Sequence, residues 1–212
     1  MGICYIVGAG DCTETIHRQK GDLLIAADGG ADHLARMGIT PDLLLGDLDS
    51  HTGDLPVCPI LQYPKEKDDS DLALAVEAGA ARGYREFVIF GALGGARLDH
   101  TLAAVHMLPA YAARGLALTL VGGGQRVRAL CAGEEICFPP SLCGYISLYA
   151  IGGADEGVSA ENLKYPLTDA TLQPYTTLGL SNEFLPGKPA RISLRTGIML
   201  LVWQEKCEEM QE

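Results

Sequence analysis

The chain is poor in the features that mark membrane spans, secreted scaffolds and nucleic-acid readers. No apolar run approaches the ~18 residues of a membrane span. The opening Met1-Gly2-Ile3-Cys4-Tyr5-Ile6 lacks the cationic head and long apolar stretch of a signal peptide. Ile6 at the sixth position also breaks the myristoylation pattern that begins at Gly2. No basic stretch exceeds two adjacent cations, and 16 Lys and Arg against 27 Asp and Glu leave a formal charge of −11. A nucleic-acid backbone is therefore an unfavourable partner. The seven cysteines are odd in number, form no Cys-x-x-Cys pair and mostly lie in apolar segments. They read as small buried hydrophobes in a reducing cytosol rather than as a metal or redox site. These absences predict a soluble, cytoplasmic protein with no membrane or nucleic-acid partner.

What is present is ordinary globular material. The 212 residues are 48% hydrophobic and 20% charged, enough to bury a core without staples and too apolar for long disorder. Short apolar runs predict buried strands at Cys4–Val7, Leu23–Ala27, Leu43–Leu45, Phe87–Phe90 and Ala117–Val121. Helical stretches fall at about Ala31–Met37, Ser70–Arg82 and Leu98–Ala113. Strand and helix alternate with Gly-rich turns between them. That pattern predicts an α/β domain over 1–124, with a mostly parallel sheet flanked by helices. After Gly122-Gly123-Gly124 the helices stop. Arg126–Leu130, Tyr145–Ala150, Ala190–Leu194 and Ile198–Trp203 read as half-buried antiparallel strands, so 125–212 is expected to be a small all-β sandwich or barrel. Trp203 is read as core, and the charged tail Glu205–Glu212 as frayed.

Ligands of parallel sheets bind beyond the carboxyl ends of the strands, and acids gather in the loops expected there. Asp28 follows a strand, and Gly29-Gly30 opens a helix where a ligand can approach the backbone and anions are favoured; Asp28 as a helix N-cap is the plainer alternative. In Gly46-Asp47-Leu48-Asp49-Ser50, extended chain would point Asp47 and Asp49 the same way. Two carboxylates ~4 Å apart repel by ~4 kcal/mol at an effective dielectric near 20. A shared Mg²⁺ relieves that repulsion; a turn with Asx hydrogen bonds is the other reading. Lys67-Asp68-Asp69-Ser70-Asp71 brings three more acids to a helix start, where one cap would suffice. Asp71 is the candidate to turn toward the cation, and Lys67 either contacts a phosphate or balances the run.

A fourth loop, Gly91 to His100, again opens a helix. Its glycines can wrap phosphates and Arg97 can grip them with two donors, while Asp99 either holds Arg97 or joins the metal cluster. His100 and His106 are read as surface helix residues. No P-loop or dinucleotide fingerprint is present: Gly8-Ala9-Gly10 is followed by Thr13 where a third glycine would stand.

In order, Asp28-Gly29-Gly30, Gly46 to Ser50, Lys67 to Asp71 and Gly94-Gly95-Ala96-Arg97-Leu98-Asp99-His100 resemble the catalytic motifs of the thiamine pyrophosphokinase family. Ala96 stands as an extra residue where that family commonly reads Gly-Gly-Arg-x-Asp-His. Asn162 to Leu167 and Gly179-Leu180-Ser181-Asn182-Glu183 resemble its thiamine-binding motifs, so the likeness spans about residues 3 to 203. The resemblance implies pyrophosphoryl transfer from ATP to the hydroxyl of thiamine, yielding thiamine diphosphate and AMP. It implies Mg²⁺ held by Asp47, Asp49 and Asp71. Nucleotide would meet Asp28, Gly29, Gly30, Lys67, Arg97 and Asp99, with Asp71, Asp99 and Arg97 closest to the chemistry. Tyr165 would stack on thiamine, with Ser181 and Asn182 as its hydrogen-bonding pair. It also implies a homodimer whose active site is shared between chains. A kinase or pyrophosphokinase acting on another small alcohol is the alternative, and a non-catalytic nucleotide or thiamine sensor a third possibility.

Overall fold

A computed structural model of the chain describes residues 2–49 and 52–204. Ser50, Cys207 and the tail from 205 on lie outside the described residues. The chain divides into two compact units, Met1–Met107 with Gly115–Gly123, and Leu108–Arg114 with the chain from Gly124 onward.

The first unit is built on β1 (Cys4–Val7), β2 (Leu23–Ala27), α1 (Gly30–Arg36), β3 (Leu43–Gly46), β4 (Ile60–Gln62), α2 (Asp71–Ala81), β5 (Glu86–Phe90), α3 (Leu98–Ala112) and β6 (Ala117–Gly122). Its strands lie in the order β6-β5-β1-β2-β3-β4, all pairs parallel. From β1 the chain proceeds to one side as far as β4, then crosses to β5 on the other. This makes a topological switch point at β1, where ligand crevices open beyond the carboxyl ends.

The helices sort by strand parity. Val7, Leu24, Ala26 and Leu44 share a core with Ala31 and Leu34 of α1. Cys4 and Phe87 present the opposite face to α2, where a Cβ on Gly79 would crowd both. Expectation and structure differ in the connections. Among the described residues only α1, α2 and α3 bridge strands, while the β1–β2 crossover and the described part of the β3–β4 crossover are irregular. Strand β4 was not expected. It is exposed along its whole length and sits at the sheet edge, so no buried run betrays it.

The second unit, from β7 onward, has no helix among its described residues beyond the end of α3. Strands β7 (Gln125–Cys131), β8 (Glu135–Phe138), β9 (Tyr145–Ala150), β10 (Asp155–Glu161), β11 (Leu167–Leu172), β12 (Asn182–Glu183), β13 (Ala190–Ser193) and β14 (Ile198–Gln204) form antiparallel pairs. Two strand orders result, β12-β9-β14-β7 and β11-β10-β13-β8. Both contribute to one apolar core, including Leu130, Ile146, Leu148, Val158, Ile192 and Met199. Trp203 is buried in that core with its ring edge-on to Phe138 at 5.3 Å, as read from sequence. The unexpected strands β8, β10, β11 and β12 are short, polar or irregular. Strand β10 carries register shifts against β11, which erase the alternation a sequence reading depends on.

Cys4, Cys12, Cys58, Cys131 and Cys137 are free thiols, and Cys4 is buried. Cys143 is disulfide-bonded, which corrects its reading as a simple apolar filler. No described helix is long and apolar enough to cross a membrane.

Candidate active site

The acids converge where β2, β3 and β4 end side by side. Asp28 leaves β2 with a φ of 48° and donates its amide to the Leu45 carbonyl at 2.7 Å. This is the left-handed region, which costs a non-glycine residue energy and is tolerated where the surroundings over-determine it. Gly46 lies against Asp28 at a φ of 143°, and a Cβ there would come within 3.0 Å of the Asp28 Cβ. Asp28 is not the helix cap. The N-cap of α1 is Gly29, with no side-chain hydrogen bond. The Asp28 Oδ1 is buried and has no hydrogen-bond partner. An unpaired buried carboxylate oxygen is costly unless something positive meets it.

Asp47 and Asp49 do not lie in extended chain. Leu48 between them has a φ of 66°, and the Asp49 amide donates to Asp47 Oδ1 at 3.0 Å. The segment is thus the Asx-type turn of the plainer reading. The turn nonetheless brings both carboxylates close to Asp28: ligand oxygens of Asp28, Asp47 and Asp49 all lie within 4.8 Å of one another. A set of three hard oxygen donors of this spacing suits Mg²⁺.

Asp71 is not in that group of three. It begins α2, whose cap is Ser70, accepting from the Ala73 amide at 3.2 Å. Between Asp71 and Asp47 stands the Lys67 ammonium, 3.3 Å from Asp71 Oδ1 and 3.5 Å from Asp47 Oδ2. Lys65, which the sequence reading passed over, pairs with Asp49 at 2.5 Å. Burial raises the Asp71 carboxyl above its ordinary range, while Lys67 pulls it down and Asp28 and Asp47 push it up. Burial opposes the charge on Lys67, but hydrogen bonds and attraction from Asp71 and Asp47 outweigh it and hold its pKa raised. Asp68 and Asp69 are exposed, leaving Asp71 alone of that run turned inward.

One glycine reading changes and another holds. A Cβ on Gly30 would overlap the Val7 carbonyl oxygen. That glycine is required for α1 to cross β1 closely, so the close approach is made by the protein's own backbone. In Gly8-Ala9-Gly10 the glycines serve the same purpose, with Gly8 donating to Phe90 O at 2.8 Å and Gly10 to Gly91 O at 2.9 Å. A tight strand-to-loop turn accounts for them.

Asp11 was not singled out by sequence. It accepts from the Gly95 amide at 2.9 Å and thereby ties down the glycine-rich loop; a lone acid after a Gly-x-Gly carries no signal of that job. Beyond the loop, Arg97 engages Asp99 with two donors, Nε to Oδ1 at 2.9 Å and the terminal nitrogen to Oδ2 at 2.5 Å. Of the two alternatives for Asp99, it is the hold on Arg97 that forms. The guanidinium lowers the exposed Asp99 carboxyl to about 2.

In the second unit Tyr165 is exposed, not a core tyrosine. The Lys164 ammonium lies 5.6 Å from its ring centroid and pairs with Glu183 at 2.6 Å. Ser181 is exposed and left-handed at a φ of 57°, its amide donating to Ser147 Oγ at 3.0 Å. Asn182 is buried beside it.

With this geometry in hand, comparison with known proteins is specific. The family model "Thiamin pyrophosphokinase, catalytic domain" matches residues 17–120, and "Thiamin pyrophosphokinase, vitamin B1 binding domain" matches residues 134–199. A thiamine pyrophosphokinase of Bacillus subtilis (strain 168) is 27% identical over 186 residues, covering 85% of this chain and 86% of that protein. A crystal structure of thiamine pyrophosphokinase from B. subtilis superposes with a TM-score of 0.85 at 24% identity, covering 97% of this chain and all of that one. The thiamin pyrophosphokinase family protein from Enterococcus faecalis gives 0.82 at 25% identity, over 96% and 99% of the two chains. The fold extends to the Candida albicans enzyme at 14% identity, with a TM-score of 0.75 over 95% of this chain and 89% of that one. Two family models in tandem, one on each part of the chain and each holding its share of the motif residues, place the chain in the thiamin pyrophosphokinase family.

Proposed function

We propose that the chain is a Mg²⁺-dependent thiamine pyrophosphokinase, transferring the pyrophosphoryl group of ATP to the hydroxyl of thiamine to give thiamine diphosphate and AMP. The observation that carries this reading is the meeting of Asp28, Asp47 and Asp49 at the strand ends, their ligand oxygens within 4.8 Å. The buried, unpartnered Asp28 Oδ1 fits a cation there. Asp28, Asp47 and Asp49 would hold Mg²⁺, with Asp71 one lysine away. Bound there, the ion neutralises charge on the phosphate oxygens during transfer.

The residues of this chain do the rest. The hydroxyl oxygen of thiamine attacks the β-phosphorus, and the bond from that phosphorus to the α,β-bridging oxygen breaks, releasing AMP. Such a transfer depends on in-line placement and charge neutralisation. Lys67 and Arg97 are the cations we assign to the phosphates, and Asp11 keeps the glycine loop in place beside them. Asp71 is the carboxylate we assign to accept the hydroxyl proton, because Arg97 occupies both oxygens of Asp99. Tyr165 presents an aromatic face to the cationic thiazolium, worth about 1–2 kcal/mol when desolvated. Tyr145, Tyr165, Leu178 and Leu180 are exposed apolar side chains that a second copy of the chain would cover in the shared-site homodimer that the family resemblance implies. An ATP-dependent reaction of this kind is in line with the cytoplasmic location expected from the sequence.

Incubation with ATP, Mg²⁺ and thiamine tests the reading. AMP and thiamine diphosphate are expected. Release of ADP overturns the pyrophosphoryl assignment, and turnover of another alcohol with none of thiamine transfers the activity to that acceptor.

A further inference from the structure

Ser181 and Asn182 are adjacent in sequence, yet the fold gives them opposite environments. The loop that carries them is pinned to β9. Leu148 donates to the Gly179 carbonyl at 2.9 Å, Ser181 donates to Ser147 Oγ at 3.0 Å, and Asn182 pairs in register with Ile146. A Cβ on Gly179 would overlap the Leu148 carbonyl, so the loop lies directly on the strand. The left-handed Ser181 turns the chain so that its own side chain remains exposed while that of Asn182 goes inside.

The Asn182 amide is almost fully used there. Its Oδ1 accepts from the Tyr165 amide at 3.0 Å and from the Glu183 amide at 2.9 Å. Its Nδ2 donates to the Tyr165 carbonyl at 2.7 Å. A primary amide offers two acceptor positions and two donor hydrogens, and three of the four are taken by main chain. Two of those three bonds close on one residue. Lys164 N to Glu183 O at 2.9 Å and the Leu163–Phe184 bridge complete the seam. Tyr165, whose ring stands in solvent, is thus held by its backbone from below.

We infer that Asn182 is a positioning residue that fixes the Tyr165 ring for its aromatic substrate, and that Ser181 alone of the pair presents its side chain to that substrate. The inference rests on the thiamine reading above. A ring on an immobilised backbone loses less freedom on stacking, so the clamp acts on substrate affinity rather than on the chemical step.

The test is a double-mutant cycle on the full-length protein, reading thiamine affinity by calorimetry with Mg²⁺ and a non-hydrolysable ATP analogue present. Asn182→Ala is expected to weaken thiamine binding by about tenfold, the scale of a lost hydrogen-bonded contact. In a Tyr165→Ala background the same change is expected to cost less than about twofold, because the ring it serves is gone. Ser181→Ala is expected to cost the same factor in both backgrounds. An equal loss from Asn182→Ala in both backgrounds means direct substrate contact and overturns the inference. Asn182→Asp, which keeps the acceptor, is expected to recover part of the affinity, and it carries the same cycle if the alanine variant does not fold. Amide exchange supplies a reading independent of thiamine: Asn182→Ala should accelerate exchange at Tyr165 but not in β14, while Asn182→Asp, which keeps the acceptor of the Tyr165 amide, should protect it better than Asn182→Ala does. Unchanged exchange at Tyr165 in Asn182→Ala overturns the clamp. Wild-type protein that binds no thiamine overturns the functional reading instead, and the exchange result then decides the clamp on its own.

Discussion

The Lys67 ammonium stands 3.5 Å from Asp47 Oδ2, with only 14% of either side chain exposed. It is the positive member of a half-buried cluster that also contains Asp71 and, beyond Asp47, the carboxylates of Asp28 and Asp49.

Removing that cation should therefore leave like charges unbalanced. Lys67→Gln is expected to destabilise the Mg²⁺-free protein by about 1–3 kcal/mol at neutral pH, since breaking a partly buried pair exposes the remaining charge to its neighbours. Added Mg²⁺ should restore most of the loss. Thermal melts of wild type and variant, with and without Mg²⁺, check both halves.

The three converging carboxylates predict an activity effect without a folding effect. Asp28→Asn, Asp47→Asn or Asp49→Asn should each lower kcat by on the order of 10²-fold or more. Circular dichroism should be unchanged, because each loses charge but little volume. Asp28 makes this prediction discriminating. A wild-type rate in Asp28→Asn would remove it from the metal site and return it to the nucleotide role implied by the motif alone.

Gly30→Ala should fail for a different reason. A methyl group there overlaps the Val7 carbonyl, and backbone cannot yield as a side chain can. A loss of several kcal/mol is expected, in the range that marks severe overpacking. Urea unfolding checks it. A stable Gly30→Ala variant that has lost only ATP affinity would instead make the glycine a ligand contact.

Asp155 gives the second unit a pH dependence. Its side chain is fully buried, and burial, offset only in part by the Ile198 backbone, raises its pKa from 3.8 to about 6. The folded state thus binds this proton more tightly than the unfolded chain does. The stability it contributes is fully present below about pH 4 and is lost as pH rises through about 6. Asp155→Asn should stabilise the protein by roughly 2–3 kcal/mol at pH 7.5 and by little at pH 4. Denaturant titrations of both proteins at the two pH values measure the difference, and a gap that does not grow with pH contradicts the account.

Much of the catalytic unit was readable along the chain because its strands are buried on both faces. Runs such as Leu23–Ala27 and Leu43–Leu45 are apolar throughout, and the acids follow them directly. Strand β4 and most of the second unit were less legible. Ile60–Gln62 is exposed, and the bulged β10 breaks alternation, so neither leaves a periodic trace.

By itself the sequence determined the parallel α/β character, the change to antiparallel strands after Gly124, and which loops hold acids. These follow from local patterning: apolar runs, periodicity and turn residues are properties of neighbours in the chain. Tertiary structure alone decided the membership of each cluster. It exchanged Asp71 for Asp28 in the group of three, set Lys67 between Asp47 and Asp71, assigned Gly30 to backbone packing, and separated Ser181 from Asn182. Each of those outcomes depends on groups brought together from distant positions, or on one residue's φ, and neither is written in the spacing of residue types.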